Sequence, residues 1–274
     1  MAVHITVCCV LLIYSLRYVL CDDFRMFGAH SVEIGDFPYI VFIVADRVSI
    51  KYCTGTILTQ YWVLTAAHCL QIEEVEEIPA EKFKVFAGIV NYYEKSYPSG
   101  SQIVRGKRII VHPEYKLFNA SNYTNIASYN DLGLLETRNN LNFNSFVSNI
   151  PLTSTLPFRN QNSCRTAGFG YTEEGSTKRL KYLYMETIKF CLEESDKELR
   201  TIFTEDYLCS LAGPGKYLSY GDSGSPLVCD GKLTAVCSWT KQISEDIGKI
   251  IIYTAVHRFI PWISSYVPEL DVIK

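Results

Sequence analysis

Short apolar stretches separated by turn residues run through most of the chain, and this pattern constrains the fold more than any other feature. Five stretches have the length and composition of β-strands, at residues 39–44, 83–90, 103–111, 180–189 and 249–256. Asp230-Gly231 stands between two further apolar runs, which is typical of a two-residue β-hairpin. The pattern predicts an all-β protein.

Helical spacing is scarce, but one stretch near the end of the chain has it. Pro261 suits the first turn of such a helix, where its missing N–H is not needed. The apolar residues that recur at helical spacing are Val256, Phe259, Ile260, Ile263 and Val267. The sequence therefore predicts a C-terminal helix at about 257–268.

Two polar segments in the middle of the chain are predicted to be surface loops. Residues 71–83 carry five glutamates, and residues 119–130 are rich in Asn, Ser and Tyr. The acidic segment could bind a cation, but a solvated loop is the more ordinary interpretation.

Composition limits the size of the core and the class of partner. The 274 residues are 48% hydrophobic, which is enough to form one large domain or two small ones. Lys and Arg number 26 against 29 Asp and Glu, so the chain lacks the basic excess of nucleic-acid-binding domains. We expect no nucleic-acid partner.

The first 21 residues resemble a secretory signal peptide. Their apolar run at 7–16 is too short to span a bilayer, and Val19 and Cys21 could flank a cleavage site before Asp22. No basic residue precedes the run and Arg17 interrupts its end, so an uncleaved anchor and a buried strand stay open as alternatives. The expectation is a secreted protein that does not reside in a membrane.

Cysteines and glycosylation sequons agree with secretion. Asn119-Ala-Ser and Asn122-Tyr-Thr are sequons, although such triplets also arise by chance in an Asn-rich loop. Recurrent cysteines are typical of an oxidising compartment. They are Cys53, Cys69, Cys164, Cys191, Cys209, Cys229 and Cys237.

The segment YGDSGSP around Ser223 is either a polar turn or the setting of a nucleophile. A serine hydroxyl attacks a carbonyl only when an adjacent base takes its proton and a third group orients that base. His68 in LTAAHC follows an apolar run and supplies a base. Asp131 in NDLGLL begins another apolar run, where a buried carboxylate would need a hydrogen-bonded partner such as a histidine.

LTAAHC, NDLGLL and GDSGSP, in that order, resemble the motifs of the trypsin/chymotrypsin-like serine proteases. The resemblance runs from about Arg25 to the C-terminal helix. It implies two antiparallel six-stranded β-barrels, at about 26–145 and 146–256, with the active site in the cleft between them. Serine chemistry of this kind requires no metal and no cofactor.

The resemblance also implies a role for each residue of the site. Ser223 is the nucleophile, His68 the general base and acid, and Asp131 the group that orients His68. The backbone N–H groups of Gly221 and Ser223 form the oxyanion hole. Glycines in this stretch let the backbone approach the substrate closely.

Asp222 and the residues before position 29 carry a second implication. In the family, the Asp beside the nucleophile pairs with an α-amino group released when a propeptide is cut. Cleavage after Arg25 would release the amine of Met26 and make residues 22–25 a short propeptide. Met26-Phe27 replaces the branched residues usual there, and the alternative is that Arg25 only ends a leader.

Three disulfides follow from the resemblance alone: Cys53–Cys69, Cys164–Cys229 and Cys191–Cys209. Cys237 is then left over. It is either a buried free thiol or the partner of Cys21.

The specificity pocket departs from the trypsin pattern. Tyr217 falls where trypsin-like enzymes have an Asp, and Ser219 falls near the usual place of a pocket cysteine. Ser238-Trp239 resembles the strand that binds the substrate backbone. Thr240 and Ile251 stand where the family has Gly, so the walls narrow the pocket. The pattern favours small apolar residues over Arg and Lys, or a blocked pocket.

The sequence thus predicts a secreted serine endopeptidase, made as a zymogen, that acts through an acyl-enzyme. Its expected partners are protein or peptide substrates, an activating protease and protein inhibitors. The alternative is a protease homologue of weak or no activity that binds other extracellular proteins. A purely structural module is disfavoured because nothing structural requires His68, Asp131 and Ser223 together.

Overall fold

The computed structural model describes residues 29–46, 51–71, 78–119, 126–155, 164–171, 178–188, 207–211, 218–244 and 248–273. It confirms the predicted fold class: two six-stranded antiparallel β-barrels and a short C-terminal helix. The signal, the propeptide, Met26, Asn122, Cys191 and Tyr217 lie outside the described residues.

The strands of the first half are β1 (His30–Ser31), β2 (Ile40–Ala45), β3 (Lys51–Ile57), β4 (Trp62–Thr65), β5 (Phe83–Ala87), β6 (Gln102–Val111), β7 (Lys116–Asn119), β8 (Ile126–Tyr129) and β9 (Gly133–Thr137). Those of the second half are β10 (Leu152–Thr153), β11 (Cys164–Gly168), β12 (Lys181–Ile188), β13 (Tyr207–Leu211), β14 (Pro226–Cys229), β15 (Lys232–Ser244), β16 (Gly248–Ala255) and β17 (Val272–Ile273). Two α-helices are present in the described part, α1 (Ala67–Leu70) and α2 (Ile260–Tyr266), with 3-10 turns at Ala80–Lys82 and Val256–Phe259.

The first barrel closes in the order β2-β3-β4-β9-β6-β5. Side chains that alternate along its strands fill the interior, among them Ile43, Val63 and Leu135. A Cβ atom at Gly55 of β3 would lie 2.7 Å from Ile43 Cδ1 and 2.8 Å from Val63 Cγ1. The interior is packed so closely that only glycine fits at this position.

The second barrel runs β14-β11-β12-β13-β16-β15 and closes because β15 also pairs with β14. The predicted hairpin between these two strands is confirmed, since Asp230 (φ 50°) and Gly231 (φ 74°) form its two-residue turn. Strand β1 pairs with β12 outside the ring. The chain near Ala29 is therefore fixed on the second barrel.

The five stretches predicted as strands all contain one, although the ends shift by one to three residues and Lys189 is not described. The prediction of a loop at 119–130 is wrong at its ends. Asn119 is the last residue of β7, and β8 pairs with β7 in a separate two-stranded sheet. Strand β8 escapes prediction because its four residues, Ile126–Tyr129, are too few to show an alternating apolar pattern.

The C-terminal helix joins the two barrels. It begins with the 3-10 turn Val256–Phe259 and continues as α2, with Pro261 in the first turn as predicted. Val256, Phe259, Ile263 and Val267 are buried in one apolar cluster with residues of both barrels. Full burial of each such side chain is worth about 1.5–3 kcal/mol, so the helix stabilises the cleft. Within the described residues, no helix is long and apolar enough to cross a membrane.

Two of the implied disulfides, Cys53–Cys69 and Cys164–Cys229, are confirmed. Cys209 is disulfide-bonded as well, while its implied partner Cys191 lies outside the described residues. Cys237 carries a buried free thiol.

Candidate active site

His68 and Asp131 come together because β4 and β9 are neighbours in the first barrel. His68 lies in α1, directly after β4, and Asp131 precedes β9. The two strands pair with Thr65 opposite Gly133. A Cβ atom at Gly133 would lie 2.8 Å from Leu70 Cδ1, so the missing side chain lets α1 pack against β9.

The imidazole of His68 is held by the carboxylate of Asp131. His68 Nδ1 lies 2.7 Å from Asp131 Oδ2, and the His68 backbone N–H donates to Oδ1 at 2.9 Å. Asp131 is fully buried, whereas a quarter of the His68 side chain is exposed. The carboxylate accepts the hydrogen bond from Nδ1–H, which leaves Nε2 as the acceptor of the ring.

Two hydroxyl groups complete the surroundings of Asp131. Ser128 Oγ donates to Oδ2 at 3.1 Å, and Ser238 Oγ donates to the same oxygen. Burial raises the pKa of Asp131, but the charge of His68 and the hydrogen bonds from His68 and Ser238 lower it by more. The net effect is a pKa below the ordinary value, so Asp131 is ionised at neutral pH.

Ser223 is positioned by backbone contacts with the first barrel. The N–H of Thr54 donates to Ser223 O at 2.9 Å. Gly224 has φ +79°, and a Cβ atom there would collide with Thr65 and the carbonyl of Thr54. Between the described residues, no hydrogen bond joins Ser223 Oγ to His68 Nε2. This contact is often loose when no substrate is bound.

The backbone around Ser223 presents two free donors. No described residue accepts a hydrogen bond from the N–H of Gly221 or of Ser223, whereas the intervening Asp222 N–H donates to Ser219 O. Gly221 has φ +100°, and a Cβ atom there would lie 2.7 Å from the Tyr52 ring. Glycine at 221 therefore permits a backbone conformation that other residues rarely adopt.

Asp222, which directly precedes Ser223, is a second fully buried carboxyl. Gly170 N–H donates to Oδ1 at 2.9 Å and Ser219 N–H to Oδ2 at 2.8 Å. Burial raises the pKa of Asp222 to about 7, and the two backbone hydrogen bonds only partly oppose this. Among the described residues, no cation contributes to the pKa of Asp222.

Ile251, which is predicted to line the specificity pocket, packs among apolar side chains. Ile251 is fully buried and belongs to one apolar cluster with Leu218, Cys237 and Tyr253. Thr240 lies directly opposite Ile251 across β15 and β16. Ser238, predicted only as part of the substrate-binding strand, directs its hydroxyl to Asp131.

The ligand atoms of Cys53, His68 and Cys69 lie within 4.8 Å of one another, the spacing of a metal site. The two sulfur atoms are bonded to each other, however, so neither is a thiolate that could bind a metal ion. His68 Nδ1 is engaged by Asp131 as well. These residues do not form a metal site in the oxidised protein.

Sequence reasoning missed three residues that contact this site: Thr54, Ser128 and Gly170. Ser128 stands in a polar stretch with no apolar pattern. Thr54 lies next to a cysteine in an ordinary strand. The motif spacing contains no signal for any of the three.

Comparison with known proteins agrees with this geometry. The family model described as trypsin matches residues 26–263. The chain belongs to the trypsin family. Cationic trypsin-3 of Rattus norvegicus is 27% identical over 254 residues, which cover 90% of this chain and 91% of that trypsin. Kallikrein-1 of Mus musculus is 29% identical over 259 residues, covering 90% and 91%.

Coagulation factor IX of Cavia porcellus is 28% identical over 256 residues, which cover 88% of this chain and 81% of that protein. Membership of the trypsin family makes the chain a homologue of serine peptidases, which hydrolyse proteins. The family match begins at Met26, the residue that the predicted cleavage would make the first.

The uncut chain and its Asp222→Asn variant should differ in how their stability depends on pH. Asp222 holds a proton more tightly when folded than its ordinary pKa of 3.8 allows when unfolded. Its contribution to stability is complete below about pH 4 and is lost as the pH rises through about 7. Asn does not titrate, so the wild-type protein should lose a few kcal/mol relative to the variant across this window.

Urea unfolding at a series of pH values measures this difference, with Arg25→Gln and Ser223→Ala in both proteins to prevent cleavage. Asp131→Asn should show the opposite pH dependence. Because the pKa of Asp131 is lowered in the folded protein, its contribution to the free energy of unfolding is lost as the pH falls. A difference between wild type and Asp222→Asn that stays constant with pH would contradict the electrostatics of this site.

Proposed function

We propose that the protein is a secreted serine endopeptidase that hydrolyses peptide bonds through an acyl-enzyme on Ser223. The observation that carries this proposal is the contact of His68 Nδ1 with the buried Asp131, beside a loop that offers the free N–H groups of Gly221 and Ser223. A base, an orienting carboxylate and two oxyanion donors are what acyl transfer to a hydroxyl requires.

In the proposed reaction, His68 Nε2 takes the proton of Ser223 Oγ as this oxygen attacks the scissile carbonyl carbon. The N–H groups of Gly221 and Ser223 hold the oxyanion that forms. His68 then protonates the leaving amine, and the acyl-enzyme remains. Water attacks the acyl carbonyl with His68 again as base, which releases the acid and restores Ser223.

Asp131 keeps the proton of His68 on Nδ1 and stabilises the imidazolium that forms. Its four hydrogen bonds, two from His68 and one each from Ser128 and Ser238, keep the carboxylate ionised and immobile. A fixed charge of this kind needs no reorganisation during the reaction.

We further propose that the enzyme is made as a zymogen. After removal of residues 1–21 as a signal peptide, an activating protease cuts after Arg25. Ala29 supports this proposal, because it packs against the cluster that contains Leu218 and Cys237. Met26 lies three residues earlier, and three extended residues span roughly 10 Å. Burial raises the pKa of Asp222, and an ammonium group at Met26 would serve as the counterion of its carboxylate.

The burial of Ile251 beside Leu218 supports a preference for small apolar residues before the scissile bond. Ile251 and Leu218 bring methyl groups and no charge, so neither can balance the side chain of Arg or Lys. For the secreted enzyme, the proposal also includes glycans at Asn119 and Asn122. It further includes binding of protein inhibitors.

The same buried Ile251 favours one alternative. If the pocket admits no side chain at all, the protein would bind extracellular partners and cleave them poorly. Turnover by the cleaved protein separates the two candidates.

Ser223→Ala is expected to lower kcat on a peptide substrate by about a millionfold, because the three residues act as a unit. The measurement is release of a fluorophore from peptides by protein cleaved after Arg25. His68→Ala should lose about as much, and the double variant should lose little more. A Ser223→Ala loss below about tenfold would rule out Ser223 as the nucleophile.

Peptides with Ala or Val before the scissile bond should have a higher kcat/KM than matched peptides with Arg. Ile251→Ala should raise kcat/KM for Leu and Phe at that position by about tenfold relative to Ala, because it empties the pocket wall. Ile252→Ala is the matched control, since Ile252 is equally buried and packs in a different cluster. A preference for Arg in the wild-type protein would show that the pocket has been misinterpreted.

A further inference from the structure

Thr54 of β3 makes four hydrogen bonds around the loop that carries Ser223. Its hydroxyl donates to Gly221 O at 3.0 Å and accepts the N–H of Phe169 at 3.2 Å. Its N–H donates to Ser223 O at 2.9 Å, and its carbonyl accepts the hydroxyl of Thr65 at 2.8 Å. From these contacts we infer that Thr54 is a positioning residue for the proposed oxyanion donors, a role that rests on the proposed function.

The two carbonyls that Thr54 binds lie next to the two donors in the chain. Gly221 and Ser223 each have an N–H that no described residue accepts and a carbonyl that accepts a hydrogen bond from Thr54. A fixed carbonyl immobilises the peptide plane that contains it, and it restrains the N–H on the other side of the same Cα only through the φ and ψ angles of that residue. Gly221 needs this restraint most, because glycine restricts its own backbone least.

Thr54 can impose this restraint because it is itself rigid. It is fully buried in the first barrel, and its β-branched side chain has few rotamers. It also follows Cys53, whose disulfide leads to Cys69 beside His68. One short segment of β3 therefore fixes both the helix of the base and the loop of the nucleophile.

The second barrel contributes through the neighbouring amides of residues 169 and 170. Phe169 N–H donates to the Thr54 hydroxyl, and Gly170 N–H donates to Asp222 Oδ1. The loop at 221–223 is thus held in two ways. Thr54 binds its carbonyls, and the side chain of Asp222 binds the second barrel at Gly170. Loss of the Thr54 hydroxyl would leave Gly221 O and Phe169 N–H buried without this partner.

Thr54→Val is the direct test, because it replaces only the hydroxyl by a methyl group of similar size. Thr54→Ser keeps the hydroxyl. Thr56→Val is the matched control, since Thr56 lies on the same strand, is equally buried, and its Oγ1 bonds to no described residue. If Thr54→Val fails to fold, Thr54→Ala removes the same hydroxyl without adding bulk.

In protein cleaved after Arg25, Thr54→Val should lower kcat by about 10- to 100-fold with KM changed less than about threefold, because misdirected donors weaken the transition state more than the substrate. Thr54→Ser should recover most of kcat, and Thr56→Val should stay near wild type. In amide hydrogen exchange, residues 219–225 should exchange faster in Thr54→Val and not in Thr56→Val.

If the wild-type protein is active, either of two results would overturn the inference. One is an unchanged kcat in Thr54→Val, and the other is a loss of kcat in Thr56→Val as large as that in Thr54→Val. If cleaved wild-type protein has no turnover, the proposed function fails and hydrogen exchange alone decides the role of Thr54. Unchanged exchange at 219–225 would then overturn it.

Discussion

The buried carboxylate of Asp131 is the interaction on which the rest of the site depends. A charge without exposure to water is costly unless hydrogen-bond donors surround it, and Asp131 has four. His68 comes from the first barrel, Ser238 from the second and Ser128 from the small sheet formed by β7 and β8. The charge is therefore stable only when all three parts are assembled, so the packing of the fold and the geometry of the base have one common cause.

At Asp222, directly before the nucleophile, burial outweighs the hydrogen bonds and raises the pKa. Two backbone N–H groups offset its burial only in part, and its pKa rises to about 7. The molecule thus holds one carboxyl that is ionised in place and one that has no cation beside it among the described residues. In the proposed zymogen mechanism this difference is functional, because a new amino group would find its partner at Asp222 and not at Asp131.

The local patterns of the sequence predicted the local parts of the structure. The Asp230-Gly231 hairpin and the helix around Ile263 follow from turn chemistry and helical spacing, and the family resemblance supplied the barrels and two disulfides. Ser128 and Thr54 could not be predicted in this way. Thr54 bonds Gly221, 167 residues away, and Ser128 bonds Ser238, 110 residues away. Contacts between short polar side chains so distant in sequence leave no periodic trace, because only the assembled barrels bring them together.

Covalent labelling of Ser223 by a fluorophosphonate is the decisive experiment on this site, because the reagent reacts with a serine only when its base and oxyanion donors are in place. The protein is labelled before and after cleavage at Arg25, and the modified residue is located by mass spectrometry. We expect one label per molecule, on Ser223, after cleavage. A folded and cleaved protein that remains unlabelled would contradict it.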